Sequence, residues 1–231
     1  MQFSEIGELN SVLVNCRECK RLVEFRERVS QRPGRFLGTE FWSRPVPGFG
    51  DIHGKILILG LAPAATGGNR TGRVFTGDRS ATFLISSLNR VGLANKADSV
   101  SRDDGLILFD MYITAVLKCV PPEDKPSTQE LENCKKYFFN EIYLMKNLRA
   151  VVVLGRVAFN SYLKYLKASG KDVNGIEFKH GKHYDLNGIR LYCSYHPSPR
   201  NVNTGRLKRE DFVSLLLEIK NFVSSSQDLI D

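Results

Sequence analysis

The sequence predicts an α/β protein: a three-layer α/β/α sandwich with a central, mainly parallel four-stranded sheet. Three observations carry this. Four apolar runs of strand length lack inside–outside alternation, as expected of strands buried on both faces. The segments between them place apolar residues at helical spacing, and strand–helix alternation implies βαβ units. No Gly-, Ser- or Pro-rich linker divides the 231 residues, so the chain reads as one domain spanning 1–231.

The elements follow in order. Residues 1–54 read as a cysteine-bearing and loop segment packed on that domain. Its stretch 33–54 is rich in Gly, Pro and aromatics and reads as an ordered surface loop. KILILGL (55–61) is the first strand, bounded by Gly54 and Pro63. SATFLISSLNRVGL (80–93) follows as a helix, with Phe83, Leu84, Ser87, Leu88 and Val91 on one stripe. MYITAVLKC (111–119) is the second strand. The helix 128–146 opens on Ser127 or Thr128 as N-cap, with Glu130 and Glu132 suited to its first turn. AVVVLG (150–155) leads directly into a helix over 156–166. IRLYCSYH (189–196) is the fourth strand, and 207–223 the last helix, with Phe212, Leu215, Leu216, Ile219 and Val223 at helical spacing. The tail 224–231 is expected to fray.

Composition narrows the function. The hydrophobic fraction is 42 % and the charged fraction 25 %, which excludes a disordered or fibrous chain. The longest apolar run is too short for a bilayer span of ~20 residues. The N-terminus carries Glu5 and Glu8 and has no signal-peptide pattern. A cytoplasmic, reducing location follows as the expectation. Lys and Arg outnumber Asp and Glu by 33 to 25, a balance of +8 that favours a polyanionic partner, nucleic acid first.

Five cysteines argue against a disulfide framework. Cys16 and Cys19 form a C-x2-C pair; Cys119 and Cys134 lie far along the chain. Four thiolates from two segments can wrap one tetrahedral metal ion or one iron–sulfur cubane, and spacing alone leaves both open. Cys193 falls inside a strand and reads as a core residue.

Ligands of such folds sit beyond the carboxyl ends of the strands. Three strand-end loops therefore form the candidate site. GLAPAATGGNRTGRVFTGD (60–78) is glycine-rich, which allows close backbone approach to a ligand, and carries a basic pair, Arg70 and Arg73, expected to face the polyanionic partner. It matches neither a phosphate loop nor a dinucleotide fingerprint. TAVLKCVPPEDKP (114–126) is stiffened by prolines. YHPSPRNVNTGRLKR (195–209) sets His196 at a strand end before a rigid Pro-Ser-Pro turn and a basic run suited to phosphates.

Together, GLAPAATGGNRTGRVFTGD, HPSPRNVNTGRL (196–207) and the cysteine pattern resemble the uracil-DNA glycosylase superfamily. Within it they look like type 5, the double-stranded uracil-DNA glycosylase branch. The similarity runs from Cys16 to about Leu217. It implies a [4Fe-4S] cluster on Cys16, Cys19, Cys119 and Cys134. It implies hydrolysis of the N-glycosidic bond of uracil, and of other deaminated bases, in double-stranded DNA, leaving an abasic site for base excision repair. His196 would donate a hydrogen bond to the leaving base. Asp78 would position the water, because the stretch 63–66 lacks the carboxylate or amide of stricter relatives. Phe75 would stack on the flipped base, and amides near Ala64 and Ala65 would bind its carbonyl. Ala115 stands where type-4 relatives place Asn, which implies a looser base preference. Thr66 stands where His is expected. Ser198, Arg200, Asn201, Asn203 and Arg206 would contact DNA, with Lys208 and Arg209 adding phosphate contacts. The implied partner is damaged duplex DNA, with a sliding clamp as a further candidate. The expectation is a monomer at the nucleoid. Two rivals stand beside this reading: a metal-stapled nucleic-acid-binding module without catalysis, and a zinc-dependent hydrolase of small nucleotides.

Overall fold

The computed structural model describes residues 3–31 and 34–225. Its centre is a six-stranded sheet: β1 (Phe49–Gly50), β2 (Ile56–Gly60), β3 (Met111–Ala115), β4 (Ala150–Leu154), β5 (His183–Leu186) and β6 (Ile189–Ser194). The spatial order is β1-β3-β2-β4-β6-β5. The four inner strands are parallel and are the four expected from the sequence. The expected strand count of four is corrected to six, because a short antiparallel strand closes each edge. β5 alternates exposed and half-buried positions and turns into β6 through Asn187–Gly188, both with positive φ (51° and 86°). That is the geometry a two-residue hairpin loop needs to match strand twist.

Every residue of β2, β3 and β4 is buried. Alternate side chains feed two cores. Ile56, Ile58, Ile113 and Val152 face α4 (Arg79–Arg90) and α8 (Arg209–Ser224), meeting Leu84, Leu88, Phe212 and Leu216. Leu57, Leu59, Val151 and Val153 face α5 (Thr128–Leu144) and α6 (Arg156–Ala168), meeting Phe138, Ile142, Phe159 and Tyr162. Cys193 lies fully buried in this second core, as expected. α5 begins with a reciprocal cap: Ser127 Oγ accepts from the Glu130 amide at 3.2 Å, and Glu130 Oε2 accepts from the Ser127 amide at 2.8 Å.

The N-terminal segment contains two helices, α1 (Ile6–Leu13) and α2 (Lys20–Gln31), which the sequence reading did not resolve. Leu9, Leu13 and Leu22 pack with Leu117, Tyr137 and Leu144 in a third core beside the cysteines. Short helices α3 (Gly68–Thr71) and α7 (Pro199–Asn203) lie inside the first and last candidate loops. α8 ends at Ser224, and the expected frayed tail from 226 onward lies outside the described residues. Among the described residues no helix is long and apolar enough to cross a membrane.

Candidate active site and cysteine cavity

The chain passes from β2 to β3 on one side, then to β4 on the other side of β2. Such a reversal opens a crevice at the carboxyl strand ends. A cavity lies there, lined by Ala64, Phe75, Asp78, Ser80, Ala115 and His196 among others. Three distant segments thus place Phe75 with Asp78, Ala115 and His196 around one space. Ala65 lies beside this wall without lining it. The cavity opens into a wider groove walled by Thr66, Arg79, Asp124, Arg156 and Ser198.

Each side chain is held by local structure. His196 follows β6, and its ring stacks with Phe75 at 5.9 Å between centroids and 29° between planes. Burial lowers its pKa to about 4, so the imidazole is neutral at physiological pH. Phe75 occupies the left-handed region at φ +46° and lies over Gly60, where a Cβ would approach its ring to 3.1 Å. A non-glycine residue held there stores about 1–3 kcal/mol. Asp78 is the N-cap of α4, its Oδ1 accepting from the Ala81 amide at 2.9 Å. Burial raises the Asp78 pKa; the Ala81 and Ser80 amides and the Arg70 charge act against that rise. Its Oδ2 lies against Gly67.

Several expectations need correction. Arg73 is not available to phosphates. Its guanidinium is 4 % exposed, pairs with Asp104 at 2.8 Å and donates to Thr76 and Ser99. Arg70 bends back to the Thr66 carbonyl at 2.8 Å and stacks over Phe36. Arg209 donates to Ser86 Oγ at 2.6 Å and covers Phe83. Asn201 turns inward, donating through Nδ2 to the His196 carbonyl at 2.8 Å, so it braces the histidine. Ser198 caps α7, accepting from the Asn201 amide at 3.4 Å. Arg200, Asn203, Arg206 and Lys208 are exposed. The sequence reading missed the loop after β4. Gly155 and Arg156 line the groove, and applying the strand-end rule to all four inner strands finds them.

A second cavity is lined by Cys16, Cys19, Cys119 and Cys134 together. Three of the sulfurs accept hydrogen bonds: Cys119 from Arg26 Nη1 at 3.0 Å, Cys134 from the Lys118 amide at 3.3 Å, and Cys19 from Asn133 Nδ2 at 3.5 Å. Among the described residues no three histidine, cysteine or acidic side chains are grouped as a site for a single metal ion. Between the two cavities runs a buried polar network. Lys118 Nζ pairs with Glu141 Oε2 at 2.6 Å, and Glu141 accepts from Thr114 Oγ1 at 2.8 Å. Thr114 precedes Ala115, and Lys118 precedes Cys119, so this network stiffens the stretch of chain that joins both cavities.

The sequence model of the Uracil DNA glycosylase superfamily matches residues 47–220. The chain belongs to the uracil-DNA glycosylase superfamily. Within that superfamily it is similar to a type-5 uracil-DNA glycosylase of Pyrobaculum aerophilum, 47 % identical over 204 residues, covering 88 % of this chain and 87 % of the relative. A type-5 enzyme of Thermus thermophilus is 46 % identical over 209 residues, covering 90 % and 94 %. A type-4 uracil-DNA glycosylase of Pyrobaculum aerophilum is 25 % identical over 199 residues, covering 84 % and 83 %. The type-5 resemblance drawn from the two loop motifs therefore agrees with the relatives. The superfamily match begins after both α1 and α2, so Cys16 and Cys19 precede it.

Proposed function

We propose that the protein is a DNA glycosylase that hydrolyses the N-glycosidic bond of uracil, and of other deaminated bases, in double-stranded DNA. The observation that carries this is the convergence of Phe75, Asp78, Ala115 and His196 on one cavity at the strand ends of a superfamily member. A base inside a duplex is out of reach and must be flipped into the cavity, which a U·G mismatch makes easier. Phe75 then offers an aromatic face, a contact worth ~1–3 kcal/mol per base. As the bond from C1′ to the base nitrogen breaks, negative charge gathers on the leaving uracil and positive charge on the sugar. His196, neutral and half-buried at the cavity wall, donates N–H to the uracil oxygen where that charge appears. Asp78, held by the α4 cap, orients the water that adds to C1′ and accepts its proton. The base anion leaves and takes a proton from solvent. Ala115 puts a methyl group where an amide would read the base edge, so the pocket rejects other bases weakly. Arg200 and Arg206 carry phosphate contacts.

The donor set of the second cavity fits an iron–sulfur cluster. Four soft sulfur ligands surround it, with N–H donors directed at three of them. Cys16, Cys19, Cys119 and Cys134 would hold a [4Fe-4S] cluster, which supplies a cross-link between the N-terminal helices and the β3–α5 loop. The test of function is purified protein on an end-labelled duplex with a single U·G pair. Alkali-labile breaks at the uracil are expected. Tight binding without breaks at stoichiometric protein would leave the non-catalytic module standing instead.

A further inference from the structure

We propose that Arg26 is the charge-balancing and positioning residue of the cysteine site: it holds Cys119 Sγ in place as a ligand and offsets the negative charge of the bound cluster. This rests on the iron–sulfur reading above. Arg26 lies in α2, two helical turns beyond Cys19, and is 2 % exposed. Its Nη1 donates to Cys119 Sγ at 3.0 Å and its Nη2 to the Cys16 carbonyl at 3.2 Å. One guanidinium therefore touches both halves of the ligand set, which lie 100 residues apart in sequence at their nearest, Cys19 to Cys119. Among the described residues Arg26 has no carboxylate at ion-pair distance, and its buried Nε has no hydrogen-bond partner.

A fully buried cation without a counter-charge is strongly unfavourable. Other buried cations of this protein obey that rule: Arg73 faces Asp104 and Lys118 faces Glu141. Arg26 instead faces sulfur. A four-thiolate cluster carries net negative charge, and it supplies the missing partner. Charge-assisted N–H bonds to a ligand sulfur stabilise the more reduced, more negative cluster. The α2 backbone is fixed from a third side. Asn69 Nδ2, in the glycine-rich loop, donates to the Arg26 carbonyl at 3.3 Å. Arg26 is thus held rigidly enough to direct its fork at Cys119.

The test compares the wild-type holoprotein with R26M, which keeps the bulk and removes charge and donors. Three readouts are independent of base excision: iron per chain, the half-life of the visible cluster absorbance under an iron chelator, and the resonance Raman Fe–Sγ bands. Removal of a hydrogen-bonding partner behind a ligand typically weakens a metal site 10–100-fold. R26M is expected to lose its cluster ~10–100-fold faster, with shifted Fe–Sγ bands and less iron per chain. R26K, which keeps charge but not the fork, covers the case where R26M does not accumulate with iron. Its cluster is expected to be lost several-fold faster than in wild type. Wild-type half-life and bands in R26M, or in R26K where that variant is the one measured, overturn the role of Arg26 alone. Wild-type protein without iron overturns the cofactor reading and this inference with it.

Discussion

Gly67→Ala separates where Asp78 sits from what it is. A Cβ on Gly67 would lie 2.1 Å from Asp78 Oδ2, 3.0 Å from its Cγ and 3.1 Å from the Thr76 carbonyl oxygen. Carbon and oxygen in ordinary non-bonded contact stay roughly 3.3 Å apart. The carboxylate oxygen must therefore retreat by about 1.2 Å, the difference between this contact distance and the available gap. The Asp78 side chain can rotate to relieve the clash, so the fold is little disturbed. Its rotation weakens the 2.9 Å cap on α4, a loss of about 1 kcal/mol. That corresponds to a Tm fall of about 2–4 °C in a chain of this size. A water-orienting group misplaced by about 1 Å costs roughly 10²-fold in rate. The assay is single-turnover excision from a U·G duplex at saturating protein, with Tm and duplex affinity measured alongside. A hundredfold slower reaction (about 10²) with a Tm lowered by only about 2–4 °C is expected. An unchanged rate would refute the placement of the water by Asp78.

His196→Ala is expected to lower the single-turnover rate by ~10²–10³ while leaving duplex affinity intact, read by quench kinetics and fluorescence anisotropy. The acid limb of the kcat/KM profile should belong to Asp78, because His196 stays neutral down to about pH 4. Burial raises the pKa of Asp78, so activity is full above that raised value and falls as pH drops through it, at a higher pH than for an ordinary carboxylate. Asp78→Asn should abolish that limb in the residual activity, and a limb that persists assigns it elsewhere. Ala115→Asn should narrow the base preference toward uracil, measured as the uracil-to-hypoxanthine rate ratio on matched duplexes; an unchanged ratio counts against Ala115 as a base-reading position. Lys118→Met leaves Glu141, which is fully buried, without its cation. Breaking such a pair costs about 3–5 kcal/mol in urea unfolding, and adding Glu141→Gln should recover part of it.

The inner sheet was legible because β2, β3 and β4 are buried on both faces, and such strands write themselves as continuous apolar runs. The edges were not. β1 has only two residues, while β5 announces itself only through Asn187–Gly188, a turn signal passed over between weakly apolar flanks. The N-terminal helices were hidden differently. Half of α2 is charged, and its buried residues include Arg26, which no apolar stripe would reveal. His196, Phe75 and Asp78 were recognisable through their motifs and meet in the cavity. Which arginines face solvent was not recognisable. Arg73 is claimed by Asp104, thirty-one residues away in the chain, and a charge count cannot see such a partner. Asn201 reads as a DNA contact by residue type, yet the turn set by Ser198 and Pro199 brings its amide back to the His196 carbonyl.

The third core also sets a timetable for synthesis. Leu9, Leu13 and Leu22 leave the ribosome early, but Leu117, Tyr137 and Leu144 come far later. The bidentate pair of Arg21 with Glu130 spans 109 residues. At about 5–20 residues per second, α1 and α2 wait roughly 5–20 s for the surface they cover. During that interval their leucines have no native partner, and closing so long a loop carries an entropic penalty that only the finished β3–α5 unit can repay. α1 and α2, made before the surface they cover, are thus among the last elements to dock.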